Sequence, residues 1–529
     1  MLALRNLFHK FNIRVSKILF FTLVFLCYSS FAFNISKIYA PTSPDENQFM
    51  FYSKFLAENK SFIYSNPLNE TFDEKIFVAR NYAQEEGRTL PGGFLGHYII
   101  GGLFYFINPD LVFFISPLFG TLILLIIYNL SRFFTNERVA LGISFLVFVF
   151  PPFFLFSVVP FNNIVETFFF ITFIYYLLKT YFNEKHVHQN LLIATTMGMA
   201  AIWIRYIDVV FIGLSFFIYS IINKSIIRPR YIITVSIVSL AFMLPLLYSN
   251  SVLYGGIFEL GQTGSKFLNI HIFDLLPVEQ ISPFIPFRNF DFFFLNTQKY
   301  IFDFLGIYLM TMIVFTISTI RKASDKHKKI YYFLIGLICI YLLYYLGGYF
   351  SGYDDPEPLV NSSYTRYLLT PYIFILLLFG IGISNITSLK KTAPLLVLLY
   401  IFTSSNLLFH SKESLNTYIT RVANLRTTKQ ELISETEENS IIFTKYTDKI
   451  LYPERNVALY PFIKGDNPIG TGNLVEKLIQ NGFPIYWIDE GFFEVGIPFQ
   501  AYRKILNEKN FSFTLIDGKN GLYKITKNE

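Results

Sequence analysis

Charge is scarce in this chain. Asp, Glu, Lys and Arg make up 15 % of its 529 residues, against about 25 % in soluble domains. With 53 % hydrophobic residues and a mean hydropathy of +0.43, this excludes an ordinary soluble enzyme. Cysteine is nearly missing. Cys27 and Cys339 both sit inside apolar runs, so neither a disulfide framework nor a cysteine metal site is available. The 7 histidines are scattered, and only His186 and His188 lie close together. That leaves no histidine metal cluster; a divalent cation would have to sit on carboxylates alone. Tryptophan occurs twice, at Trp203 and Trp487. Aromatics as a class are abundant at 19 %, which excludes disorder and fits lipid-facing helices with ring-rich ends. The net charge of +7 is no nucleic-acid footprint, because the part from Lys412 onward balances its charges. The excess fills short loops between apolar runs, as membrane orientation requires.

A spanning helix needs roughly 20 apolar residues. The first such run, 17–33, follows Arg5, Lys10, Arg14 and Lys17. It reads as an anchor with a cytoplasmic N-terminus rather than a cleaved signal peptide. Further runs lie near 110–131, 139–158, 162–182, 190–204, 207–222, 231–250, 299–320, 330–349, 366–386 and 393–410. The basic loop Arg321, Lys322, Lys326, Lys328, Lys329 faces the cytoplasm. So do Lys390 with Lys391, the loop carrying Lys224, Arg228 and Arg230, and Arg132 with Arg138. Alternation then places 35–109, 159–161, 205–206, 251–298, 350–365 and 411–529 outside. The short, glycine-rich run 94–107 would invert Arg132 and Arg138 if it crossed, so it reads as an interfacial helix. The expectation is a polytopic α-helical protein with about eleven spans, a membrane domain over 1–410 and long outer loops at 35–109 and 251–298.

Residues 411–529 change character. Strands are expected at 440–446, 456–463 and 484–489, helices from Asn473 to Gly482 and near 498–508, and a hairpin at 511–517 and 521–526. This alternation implies a small extracytoplasmic α/β domain.

Ionisable residues are rare at mid-span, where ion-coupled transporters keep theirs. The exceptions gather at the outer side: Asp45 and Glu46, Glu166, Arg205 and Asp208, Asp303, and Arg366. Each alone reads first as a helix-end charge in water; their gathering on one side is what points to a site. Adjacent carboxylates on one helix point about 100° apart, so only one of Asp45 and Glu46 faces a given substrate. The bland reading of the pair is helix capping. The functional one is a general base toward a hydroxyl. Arg80, Arg88, Arg205 and Arg366 are placed outside, and arginine suits bidentate contact with phosphate; the bland reading is interfacial anchoring. His97, isolated, reads as structural.

These pieces resemble the C-type (GT-C) glycosyltransferase superfamily, which includes protein O-mannosyltransferases and lipid A aminoarabinose transferases. A basic N-terminus and one span precede an outer loop that opens with Asp45-Glu46. Leu90-Pro91-Gly92 resembles the superfamily's proline-containing segment. Pro151-Pro152 and Pro160-Phe-Asn-Asn-Ile-Val-Glu166 resemble its third-to-fourth-span turn. Asn250 through Tyr254-Gly255 resembles its loop after the seventh span. Ser363-Tyr-Thr-Arg366-Tyr367-Leu-Leu-Thr-Pro371 resembles its Arg-Tyr-Leu segment. The resemblance covers about residues 1–410 and leaves the C-terminal domain uncovered. It implies inverting transfer of a sugar from a polyprenyl (dolichyl)-phosphate donor to a hydroxyl of a protein, glycolipid or glycan. Asp45 would be the base and Glu46 its catalytic neighbour. Arg366, Arg205 and Arg88 would bind the donor phosphate, and Glu166, Tyr367 and Tyr254 would touch sugar or acceptor. The partners implied are the lipid-linked sugar, its acceptor and membrane lipids. The Trp-Trp-Asp-Tyr-Gly motif of oligosaccharyltransferases is missing, which disfavours N-linked transfer. The alternative is a non-catalytic membrane transporter or carrier of lipid-linked glycans.

Overall fold

A computed structural model describes residues 2–72, 76–85, 87–257, 290–348, 359–385, 393–459, 468–490, 499–518 and 520–528. The chain opens with α1 (Leu2–Lys37), α2 (Pro44–Asn59), β1 (Tyr64–Ser65), α3 (Pro67–Phe72), β2 (Ala83–Glu85), β3 (Arg88–Leu90) and α4 (Leu95–Ile107). It continues through α5 (Ile115–Ser131), α6 (Glu137–Phe148), α7 (Pro151–Phe156), α8 (Asn162–Phe182), α9 (Val187–Ile204), α10 (Asp208–Ile222) and α11 (Pro229–Tyr254). Then come α12 (Phe290–Thr297), α13 (Ile307–Lys322), α14 (Asp325–Leu346), α15 (Ser363–Tyr367), α16 (Leu369–Asn385) and α17 (Ala393–His410). The last part runs α18 (Leu415–Ser434), β4 (Ile441–Thr444), α19 (Asp448–Leu451), β5 (Asn456–Leu459), α20 (Pro468–Gln480), β6 (Ile485–Ile488), α21 (Phe499–Glu508), β7 (Phe511–Asp517) and β8 (Leu522–Lys527). Two compact units result. One holds Met1–Ser36, Asp110–Leu247 and Ile270–Tyr418; the other holds Lys37–Pro109, Tyr248–Asn269 and Ile419–Glu529.

The first unit is a bundle of apolar helices. In α1, Val24, Tyr28, Ala32 and Ile35 are buried while Ile18, Leu19, Leu23 and Leu26 are exposed. An apolar face turned outward suits lipid, where backbone groups must be satisfied within the helix. Among the described residues, 6 helices are long and apolar enough to cross a membrane: Val15–Lys37, Pro109–Ser131, Asn162–Phe182, Val187–Ile204, Pro229–Tyr254 and Asp325–Leu346. The protein is an integral, multi-pass membrane protein.

Three expected single spans are interrupted. The run 139–158 divides into α6 and α7 because Pro151 and Pro152 occupy the first turn of α7. Proline suits that position, and it pushes the preceding residue out of the helical region. The 12 residues of α6 span about 18 Å, short of the roughly 30 Å hydrocarbon core. The run 299–320 contains a π-helical turn, Gln298–Asp303, and then Gly306 at φ 54° before α13. The run 366–386 breaks at Leu368, between α15 and α16. The Gly-rich run 94–107 forms α4, only 13 residues long. Most of the 251–298 loop, including Pro277, Pro283 and Pro286, lies outside the described residues, as do Lys390 and Lys391.

The second unit is built on a mixed sheet ordered β5-β4-β6-β8-β7. β5, β4 and β6 are parallel, and β6, β8 and β7 antiparallel. All four residues of β4 are buried, as expected of a parallel strand covered on both faces. The expected strands, the helix α21 and the hairpin are all present. The helix expected to begin at Asn473 begins five residues earlier, at Pro468. Asn473 is therefore interior, and its side-chain oxygen accepts from Lys509 instead of capping. Gly482, at φ 81°, follows the helix end.

Part of the loop 35–109 belongs to this sheet. Leu68, Phe72, Ile76 and Phe77 share one core with Ile441, Phe443, Val475, Leu478 and Trp487. Ala40, Val78 and Ala79 share the other with Ile442, Ile450, Leu451, Tyr486 and Ile488. The strip 76–79 thus contributes to both faces, and the Leu459 N–H donates to the Ile76 carbonyl at 3.1 Å. The sequence pattern groups residues 35–109 with the membrane domain; in the fold their apolar side chains pack with residues 419–529.

Candidate active site

The Asp-Glu pair opens α2. Ser43 is the N-cap and its hydroxyl accepts from the Glu46 N–H; Pro44 starts the helix. Asp45 is thus in the first turn without being the cap, and it is exposed. Glu46 is completely buried. Its carboxylate accepts from the Thr42 N–H at 3.0 Å and the Thr42 hydroxyl at 2.6 Å, closing the turn that leads into α2. The angular offset of neighbouring helical residues sends one carboxylate outward and the other inward. The outward one is Asp45.

Asp45 has a donor: Asn81 Nδ2 donates to Asp45 Oδ1 at 2.8 Å. Asn81 holds φ at 68°, a conformation asparagine tolerates better than most side chains. Its carbonyl accepts from Gln48 Nε2 on α2, and the Gln48 Oε1 accepts from Tyr98 on α4. Sequence reading missed Asn81, because only the fold brings it to Asp45. Arg88 is exposed at the start of β3. Arg80, expected outside from the sequence, is held by Asp448 at 2.9 Å. Burial pushes the Asp448 carboxyl above its ordinary value although Arg80 opposes the shift. Burial, reinforced by Arg80, pushes the neighbouring Lys449 down.

The proline segment passes directly over Asn81. A Cβ on Gly92 would overlap the Asn81 carbonyl oxygen, and one on Gly93 the Tyr98 hydroxyl. Tyr254, at the end of α11, is buried, and its hydroxyl donates to the Pro91 carbonyl at 2.7 Å. Gly92→Ala should therefore shift the Asn81 backbone. The expected destabilisation is about 1–3 kcal/mol, read as a lower unfolding temperature in detergent; an unchanged temperature would refute the close approach.

A second cluster lies within the helical unit. Glu166 sits in the first turns of α8, Arg205 caps the C-terminus of α9, and Asp208 begins α10. All three are buried. Arg205, Glu166 and Asp208 lie within electrostatic reach of one another. The Arg205 guanidinium lies 4.2 Å from the Tyr367 ring centroid and 5.2 Å from that of Tyr345. Arg366 is half-buried; its Nη2 donates to the Ser363 hydroxyl at 2.9 Å and its guanidinium lies 4.8 Å from the Phe161 ring. Within this unit the structure brings together the predicted Glu166, Arg205, Arg366 and Tyr367. Asp208 was grouped with these charges in the sequence but given no role, and Tyr345 was not predicted for the site. The i, i+3 spacing of Arg205 and Asp208 across a short turn was the available signal for the first; the tyrosine run at 341–345 was a weak signal for the second. Among the described residues, no three His, Cys, Asp or Glu side chains converge to hold a metal ion.

Solved structures share this architecture. The apo structure of ArnT from Cupriavidus metallidurans aligns with a TM-score of 0.61 at 10 % identity, over 97 % of this chain and 98 % of that one. This is a GT-C fold. The ArnT structure bound to undecaprenyl phosphate aligns at 0.59 and 9 % identity, over 96 % and 98 %. The oligosaccharyltransferase AglB from Archaeoglobus fulgidus, in complex with an inhibitory peptide and a dolichol-phosphate, aligns at 0.49 and 11 % identity, over 97 % and 75 %. Residues 94–248 match the family model described as dolichyl-phosphate-mannose-protein mannosyltransferase. That stretch of the GT-C fold runs from α4 into α11 and carries Glu166, Arg205 and Asp208. No curated protein matches the chain.

Proposed function

We propose that this GT-C protein is an inverting glycosyltransferase that moves a sugar from a polyprenyl-phosphate carrier to a hydroxyl acceptor at the outer membrane face. In this reading the N-terminus is cytoplasmic and the C-terminal domain is outside. Asp45 takes the proton of the acceptor hydroxyl. The hydroxyl oxygen attacks the anomeric carbon, the bond from that carbon to the phosphate oxygen breaks, and polyprenyl phosphate departs with inversion. Developing charge on the departing phosphate needs fixed cations; Arg366, Arg205 and Arg88 are assigned that task, Arg366 foremost because it is half-buried and reachable. Glu166 and Tyr367 contact sugar or acceptor. Glu46 and Tyr254 support the loop that carries Asp45, since the Glu46 carboxylate and the Tyr254 hydroxyl are engaged within it.

The observation that carries the reading is Asp45 itself: an exposed carboxylate at a helix start, aligned by Asn81, with its neighbour Glu46 turned inward. The bound undecaprenyl phosphate of the ArnT structure and the family description support a lipid-phosphate donor. The test offers the full-length protein in liposomes a panel of labelled polyprenyl-phosphate sugars, with host membrane and protein extract as acceptor. Label should move from lipid to an acceptor with at least one donor. No transfer and no donor bound, across the panel, would overturn the proposal in favour of a carrier.

A further inference from the structure

We infer that the C-terminal domain holds the proposed base in place: its segment 444–452 clamps both α2 and the Asn81 strip, with Asp448 and Glu490 as positioning residues. This rests on the reading of Asp45 as the base. The links are all short and at least partly shielded from water. The Asp448 carboxylate, fully buried, accepts the Arg80 backbone N–H at 2.6 Å and the Arg80 Nε–H at 2.9 Å. Arg80 Nη2 also donates to the Tyr446 carbonyl at 3.0 Å, and the guanidinium lies 4.8 Å from the Tyr446 ring centroid. Both the backbone and the side chain of Arg80 are therefore fixed. The next residue is Asn81, the donor to Asp45.

The same segment grips the other side of that hydrogen bond. Asn47 Nδ2, two residues past Asp45, donates to the carbonyls of Lys449 at 2.9 Å and Tyr452 at 2.7 Å. Lys449 Nζ donates to the Thr42 carbonyl at 2.8 Å. The separation between Asp45 and Asn81 is thus set by a distant piece of chain, since Asn47 and Tyr452 are 405 positions apart.

That piece is itself locked. One carboxylate, that of Glu490, accepts four donors: the Thr444 hydroxyl at 2.7 Å, and the backbone N–H groups of Lys445 at 3.0 Å, Tyr446 at 2.7 Å and Thr447 at 2.6 Å. Consecutive N–H groups converging on one anion form a rigid concave turn. The turn lies just after β4 and fixes the start of α19, where Asp448 is. A base must be held within about 0.5 Å of its working geometry, and a misplacement of about 1 Å costs about a hundredfold. Simple docking of two segments would not require the contacts to converge on the residues flanking Asp45.

The experiment uses full-length protein in liposomes and whichever labelled polyprenyl-phosphate sugar gives the highest wild-type transfer. The variants are Asn81→Gly, which keeps the positive φ and deletes the amide, Asp448→Asn and Glu490→Gln. Each is made alone and in the Asp45→Asn background, and folded protein is quantified by size-exclusion chromatography. The expected result is kcat lower by about tenfold or more with KM for the donor unchanged, and no further loss when Asp45→Asn is already present. With rates taken per folded protein, losses that multiply in that background or that appear only in KM would overturn the inference. Should Asp448→Asn or Glu490→Gln unfold the domain, Asn81→Gly, at an exposed site, keeps the test decisive. A slow Asp45→Asn beside a fully active Asn81→Gly overturns the positioning role alone. A fully active Asp45→Asn overturns the base assignment itself.

Discussion

Asp45→Asn should lower the transfer rate by more than about a hundredfold, the usual contribution of a positioned general base, while donor binding survives. The substitution is nearly isosteric. The side-chain oxygen that accepts from Asn81 remains, so the start of α2 keeps its geometry. What is lost is the capacity to take a proton. The rate is read with labelled lipid-linked sugar, and donor retention by binding of the same lipid. A mutant within about threefold of wild type, well short of a base's usual contribution, would remove Asp45 from that role. Glu46 is a poor successor because its oxygens close the Thr42 turn, so attention would pass to Glu166.

Arg205→Ala should destabilise the helical unit strongly. Arg205 is the cation within electrostatic reach of two buried carboxyls, Glu166 and Asp208. Taking the nearby cation away from two buried carboxyls leaves any carboxylate charge there uncompensated, which costs about 1–3 kcal/mol. The lost stacking on Tyr345 and Tyr367 adds about 1–2 kcal/mol. Thermal unfolding in detergent should show a large drop. Arg205→Lys should recover part of it, since an ammonium restores the charge but not the planar face. If Arg205→Ala melts like wild type, this cluster is not held by its arginine. Donor binding measured on the folded fraction separates that structural effect from the proposed contact with phosphate.

The membrane class was legible from local signals alone. Apolar run length marked the helices, and basic loops marked candidate inner ends, because both depend on neighbours in sequence. The same holds for the C-terminal alternation of strands and helices. The interrupted spans were legible in part: Pro151-Pro152 stands out as a motif, yet the apolar run 139–158 continues across it and hides the division into α6 and α7. The helix α18 carries no long apolar run, and Arg421, Arg426, Lys429 and Glu431 break up its apolar positions. Residues 415–434 therefore bear no clear local mark, and their helix emerges only in the fold.

The candidate site divides the same way. The segments around Asp45, Glu166 and Arg366 resemble GT-C motifs, and that resemblance sufficed to propose a glycosyltransferase. Which of Asp45 and Glu46 faces outward was decided by the Thr42 turn, and the donor Asn81 by a left-handed backbone residue 36 positions away. Arg80 reads as one more outer arginine; Asp448, 368 residues on, makes it a structural clamp. The sequence by itself therefore determined that the chain crosses membranes, where its long apolar runs lie and that a small α/β domain follows. The tertiary structure alone decided that the loop after α1 belongs to that domain's core, and which charges are buried together. Periodicity and composition are properties of adjacent residues, whereas a buried ion pair or a shared core joins residues hundreds of positions apart and leaves no periodic mark on the chain.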